Sequence, residues 1–277
     1  MNSVPDRTPD AGSTDGADAS AAASAAASAR KTPRRRGLRV LWWILGSIGA
    51  LIVAAVVAFL VWANVGVMAA EPTALAAVES DPAVTLTDEG SAWVLAPAEG
   101  GSDTGLVFIP GAKVEGDAYA ATLVGAVQDG ATVVITKPTL NLAFFDVRPL
   151  SDFSALAPDV TTWAVGGHSL GGVRACQLAE DADALVLFAS YCANDLSGSD
   201  LPVLSIAGSE DGLSTPEKIA ESASLLPADT EFVEIAGGNH AGFGAYGPQA
   251  GDNPATISDD QIRAGITAAL APFLLAL

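Results

Sequence analysis

The chain contains two histidines, and one of them, His168, adjoins Ser169 in the run "VGGHSLGGV" from Val165 to Val173. Gly167, Ser169 and Gly171 form Gly-x-Ser-x-Gly, the pattern of a serine held on a sharp strand-to-helix turn. Glycines suit such a turn because backbones approach there too closely for side chains, and the N-terminus of the following helix favours negative charge developing at the hydroxyl. The chemistry implied is nucleophilic attack on an acyl carbonyl. Among 28 glycines the pattern could also be a plain glycine-rich turn; the run "TTWAV" before it and helical spacing from Leu170 onward give it weight. A serine nucleophile needs a base. The side chain of His168, inside the turn, must point away from the neighbouring hydroxyl, which makes it a turn residue with a packing role. His240 is then the only candidate, in "GGNHAGFG" directly after the run "TEFVEIA". A lone histidine is more often a packing residue, but a strand end among glycines that permit close approach is where a base belongs. An orienting carboxylate should follow the strand between these two. Asp211, ahead of Gly212 in a tight turn, is the choice over Glu210 and Asp195.

Strands must present these groups. Short β-rich runs occur at "AVTLT", "AWVLA", "GLVFIP", "ATVVIT", "TTWAVGG", "DALVLFAS", "LPVLSIAG" and "TEFVEIAG". Several are continuously apolar, as in strands buried on both faces. Helical spacing fills Asp117 to Gln128, Leu170 to Glu180, Thr215 to Leu226 and Ser258 to Leu275, with Pro216 and Glu217 suited to a first turn. The alternation predicts an α/β fold over residues 83 to 277. It is a mostly parallel eight-stranded sheet with helices on both faces, its functional loops at the carboxyl ends of the strands.

Ahead of that domain, residues 1 to 37 hold almost no large apolar side chain and read as a disordered tail. The basic run "RKTPRRRGLR" then precedes 23 uncharged residues, Val40 to Trp62, enough to span a bilayer. Trp42, Trp43 and Trp62 lie near its ends, as an aromatic belt would. A transmembrane helix is therefore expected over residues 38 to 66 and a linker over 67 to 82. Basic residues on the N-terminal side predict a single-pass protein of the cell membrane, its tail cytoplasmic and its C-terminal domain extracytoplasmic. A cleaved signal peptide is the rival; the apolar run is too long for one and starts too far from the N-terminus. Beyond Ala70 there are six Lys or Arg against 28 Asp or Glu, a surface that repels phosphate backbones, so nucleic-acid binding is not expected. Two cysteines, Cys176 and Cys192, exclude a cysteine zinc cluster or a disulfide-rich scaffold. They read as small buried apolar residues, with one bridge left open. Oligomeric state is not legible.

The chain order Ser169, Asp211, His240 is that of α/β-hydrolases. The stretches "GGHSLGG", "IAGSEDGLSTPEKI" and "GGNHAGFGAYGPQ" together resemble that superfamily, specifically its small dienelactone-hydrolase-related group, over about residues 104 to 277. The resemblance implies an esterase-type triad on Ser169, Asp211 and His240, with no organic cofactor and no metal. Many members carry His-Gly after the third strand. Here "VFIPGAKVEG" stands in that place, so the oxyanion-hole amides fall on Ala112 and Leu170, and Lys113 reads as a solubilising lysine. Larger relatives insert a cap domain before the seventh strand, whereas only Cys192 to Asp200 are available here, too few to build one. The pocket is expected to be open, framed by Phe243 and Tyr246, with ordinary loop packing the equal alternative for these two rings. The expected activity is a carboxylesterase acting on a small-molecule ester or lipid with a small or medium acyl group. A thioesterase, lactonase or lipid hydrolase on the same scaffold, and a non-catalytic binding protein that retains the fold, are the alternatives.

Overall fold

The computed structural model describes residues 34–277. The chain divides into two units, Met1–Val57 and Ala58–Leu277. The expected tail lies outside the described residues up to residue 33, and its last residues open helix α1, Arg34–Asn64. Among the described residues α1 is the one helix long and apolar enough to cross a membrane, with mean hydropathy 2.8 over its most apolar 18 residues, none of them buried.

The second unit is built on eight strands: β1 Val84–Asp88, β2 Ala92–Pro97, β3 Thr104–Ile109, β4 Thr132–Thr136, β5 Thr162–His168, β6 Ala184–Phe188, β7 Val203–Gly208 and β8 Glu231–Ile235. They form one sheet in the order β1-β2-β4-β3-β5-β6-β7-β8. β1 and β2 pair antiparallel, as do β2 and β4; every later pairing is parallel. Helices α2 Pro72–Glu79, α3 Ala120–Gln128, α4 Ser151–Ser154, α5 Leu170–Leu178, α6 Pro216–Ser222 and α7 Asp259–Leu275 complete it. All eight strands and the four expected helical segments stand where the patterning puts them, within a few residues at each end.

The continuous apolar runs have a two-sided cause. On β3, Leu106 and Phe108 enter one core with Tyr119 and Leu123 near α3 and Ile262 and Ile266 of α7. Val107 and Ile109 enter a second core with Ala175 and Cys176 of α5 and Phe153 of α4. Side chains alternate across a strand, so both faces must be apolar when both are covered. β8 has no such constraint at the sheet edge, and four of its five residues are not buried. At its start α7 is closed by a capping box, Ser258 accepting from the Gln261 N–H and Gln261 returning the bond.

Two expectations change. Residues 67–82 are not a plain linker: Pro72–Glu79 form α2, started by Pro72 at its first turn, and Val78 is buried in the core that holds Leu123 and Val127 of α3. A short Ala-rich segment between prolines lacks the length for a clear helical period, and its docking supplies the missing stability. Second, Cys176 on α5 and Cys192 after β6 are bonded as a disulfide, their Cα atoms 5.5 Å apart. The parallel return of β6 beside β5 brings them together, which spacing alone does not reveal. The stretch from β6 to β7 carries no helix and no cap.

Candidate active site

β5 ends at His168 and α5 begins at Leu170, leaving Ser169 alone to reverse the chain. It does so at φ 51° and ψ −120°, a conformation costing a non-glycine residue about 1–3 kcal/mol. The glycines on either side make the turn possible. A Cβ at Gly171 would fall on the Ile109 and Pro110 carbonyl oxygens, and one at Gly167 on the Gly171 backbone. The start of α5 is thereby pressed against the turn that follows β3. Ser169 is then pinned through its backbone: its N–H donates to the Phe188 carbonyl at 3.0 Å, and the Ser190 hydroxyl donates to its carbonyl at 2.7 Å.

Asp211 follows β7 and His240 follows β8, and their loops meet. Asp211 Oδ2 lies 2.8 Å from His240 Nδ1, with both side chains fully buried. Asp211 Oδ1 accepts the N–H groups of Leu213 at 2.8 Å and Ser214 at 2.7 Å, so the carboxylate is held by three bonds and aimed at the ring. The pairing sets the imidazole tautomer, with the proton on Nδ1 and a lone pair on Nε2. That Nε2 is buried and hydrogen-bonded to nothing among the described residues, Ser169 included. The other two acidic candidates lie elsewhere. Asp195 bonds Ser197 at 2.9 and 2.6 Å in its own turn, and the Glu210 carboxylate accepts only from the Ser209 hydroxyl, at 3.4 Å, among the described residues.

Ala112 and Leu170 are both partly exposed, and neither N–H donates to an acceptor among the described residues. Since Gly171 packs against the Ile109 and Pro110 backbone, the two amides sit on segments in direct contact. Two free donors on adjacent turns, one at a helix N-terminus, can stabilise an oxyanion.

Phe243 and Tyr246 differ from the open frame expected of them. Phe243 is 0% exposed and Tyr246 7%, because their glycine-rich loop folds inward over the core. Phe243 stacks on His168, centroids 6.0 Å apart at 11°, and contacts Phe188. These rings therefore wall the histidines rather than face solvent. A cleft of about 440 Å³ lies behind the His240 loop, lined by Glu71, Asn239, Gln249, Asp252 and Asn253, and Ser169 is not among its walls.

Two residues escaped the sequence reading. Tyr119, 0% exposed, accepts the Gly111 N–H at 3.0 Å and lies 2.9 Å from His168 Nδ1. The Tyr119 proton has no acceptor but Nδ1 among the described residues, so it goes there, and the neutral His168 carries its own proton on Nε2, which is buried without a partner. Burial first, and then the neighbouring His240 ring, hold the His168 imidazole well below its ordinary ionisation range, consistent with a neutral acceptor. Burial likewise pushes the Tyr119 hydroxyl up, so it stays protonated. Asp252 Oδ1 accepts the Gly212 N–H at 3.0 Å and its Oδ2 the Ala241 N–H at 2.9 Å, joining the loop of Asp211 to that of His240. Nothing local distinguishes Asp252 among so many acids, and the only trace of Tyr119 is its place on the core face before α3.

A family model described as "Alpha/beta hydrolase family" matches residues 105–264, a span from β3 into α7. A search of curated proteins found no match.

Proposed function

The chain belongs to the alpha/beta hydrolase family, and from that premise we propose that it is a serine carboxylesterase related to the dienelactone-hydrolase group. It cleaves small or medium acyl esters through an acyl-enzyme. The observation that carries the reading is the buried Asp211–His240 pair with its far nitrogen free, its ring 4.4 Å from that of His168, the residue before the strained serine. His240 Nε2 takes the proton of Ser169 as its oxygen attacks the ester carbonyl, while Asp211 fixes the ring through Nδ1 and stabilises the imidazolium. The amides of Ala112 and Leu170 receive the oxyanion, each worth about 10²-fold or more in rate. His240 then protonates the leaving alcohol, and water repeats the cycle on the acyl-enzyme. A fluorophosphonate probe should label Ser169, and Ser169→Ala or His240→Gln should remove both labelling and turnover of a short p-nitrophenyl ester. A folded protein whose Ser169 stays unlabelled would refute the assignment, and a panel of esters, thioesters and lactones ranks the acyl chemistry.

The chain is also proposed to be single-pass in the cell membrane through residues 40–62, tail inside and hydrolase domain outside. The length of α1 and the basic residues ahead of it support this. Protease added to intact cells should degrade the domain; a shielded domain overturns the orientation.

A further inference from the structure

The turn bearing Ala112 is gripped from two sides. From one, Met68 N–H donates to the Lys113 carbonyl at 2.7 Å and Glu115 N–H to the Met68 carbonyl at 2.9 Å. Lys113 Nζ donates to the Val65 carbonyl at 2.8 Å and lies 4.7 Å from the Trp62 ring centroid. From the other, Lys113 N–H donates to the Asn141 carbonyl at 2.7 Å. The final turns of α1, from Ala58 onward, and the loop after β4 are thus both fastened to the candidate oxyanion turn. Lys113, expected to be a free surface lysine, is the pin.

These two segments leave apolar side chains in solvent: Phe59, Trp62 and Val65 from the first, Phe144, Phe145 and Val147 from the second. They are continuous, since the Phe59 and Phe145 rings meet edge to face at 5.6 Å, and Val147 is 86% exposed. The charges interleaved with them are spent, Arg148 being paired with Asp146 and Lys113 with Val65 and Trp62. A soluble surface rarely carries such a patch without a use, and aromatic rings with one polar edge suit the level where lipid headgroups meet acyl chains.

We propose that this patch docks into the headgroup and acyl boundary of the bilayer that α1 crosses, so that the Ser169 site takes acyl esters resident in that layer. The occupant follows from continuity: the patch begins on the apolar helix itself, so whatever solvates the end of α1 meets Phe145 next. The acidic body disfavours attraction to anionic lipid, and insertion is driven by apolar burial alone. The proposal rests on the serine-hydrolase and membrane-span readings above.

The test uses the full chain reconstituted in phosphatidylcholine vesicles. The two native cysteines are bonded to each other, so Val147→Cys, or Asp229→Cys on an exposed turn remote in sequence, adds one free thiol for an environment-sensitive fluorophore. Expected is quenching by nitroxide-bearing lipid several-fold stronger at 147 than at 229, with the reverse order for aqueous iodide. Unmodified protein should hydrolyse a long-chain fluorogenic ester in its own vesicles at least tenfold faster than the same ester in separate vesicles. Equal iodide access at the two positions, or equal rates from the two vesicle populations, overturns the proposal. Turnover of a short water-soluble ester by the same preparation reports separately on the hydrolase reading, whose failure would leave the labelling contrast to decide docking.

Discussion

Replacing Tyr119 with Phe deletes one oxygen and keeps the ring that packs between Phe108 and Tyr246. That oxygen serves two buried groups, the Gly111 N–H and His168 Nδ1, and no other partner reaches either. Each orphaned buried group costs about 1–3 kcal/mol, and losing the hydroxyl's own desolvation returns part of this, so Tyr119→Phe should destabilise by about 2–4 kcal/mol. Against a typical domain stability of about 5–15 kcal/mol, the midpoint of thermal unfolding should fall by about 5–15 °C. The kinetic consequence is separate. Gly111 precedes Ala112, so a freed Gly111 amide loosens the turn that aims one of the two proposed oxyanion donors. The rate kcat should drop by up to about 10²-fold, the worth of one such donor, while KM for a short ester barely moves because the ground-state contacts remain. Unfolding of the full chain in detergent, with ester kinetics on the same sample, checks both. A variant within 0.5 kcal/mol of the parent and unchanged in kcat refutes the claim that Tyr119 ties the oxyanion turn to the serine elbow.

Three further outcomes follow from the same geometry. Both Ser169→Gly and Ser169→Ala lose the hydroxyl, but only glycine relaxes a φ of 51°, so the glycine variant should be the more stable by about 1 kcal/mol; equal urea midpoints would remove the strain argument. His168 remains neutral in the folded chain below its ordinary value of 6.5, whereas the unfolded chain takes up a proton there. Stability should therefore fall as pH drops below 6.5, by about 1.4 kcal/mol per pH unit, and be unaffected by this group above it. His168→Gln should flatten that slope, and parallel melting curves from pH 6.5 to 5 for parent and variant would count against the buried neutral imidazole. Reducing the bridge between Cys176 and Cys192, which closes a loop of sequence separation 16, should cost about 3 kcal/mol; an unfolding midpoint insensitive to dithiothreitol would argue against its presence.

The sheet was legible because its cause is local and repeated. A strand covered on both faces is apolar at nearly every position, so β3, β4, β6 and β7 announce themselves as apolar runs broken only by Ser205 in β7 and by threonines at the ends of β3 and β4. Ser169 was legible because the elbow needs glycine at fixed offsets. Asp211 and His240 were singled out by a rule of place, each just past the end of a strand in a chain with one eligible histidine, and the loops do bring their side chains to 2.8 Å. α2 was missed because eight residues flanked by prolines hold too little period, and its stability comes from the neighbour it docks on. For Phe243 and Tyr246 the sequence left pocket frame and loop packing open, because a glycine-rich loop after a strand can fold outward or inward with equal ease, and only the packing against Phe188 and His168 decides.

The sequence by itself determined the period of burial, the punctuation of the turns and the order of the candidate reactive groups, since each is written into neighbouring residues by sterics and solvation. Tertiary structure alone decided which distant atoms meet: Tyr119 on Gly111 and His168, Asp252 across two loops, Cys176 on Cys192, Lys113 on the end of α1. Those contacts join residues 8 to 49 positions apart, and their existence depends on how the sheet twists and its loops close. No local pattern carries that information, because the same side chains would satisfy any local rule whether or not they ever touched.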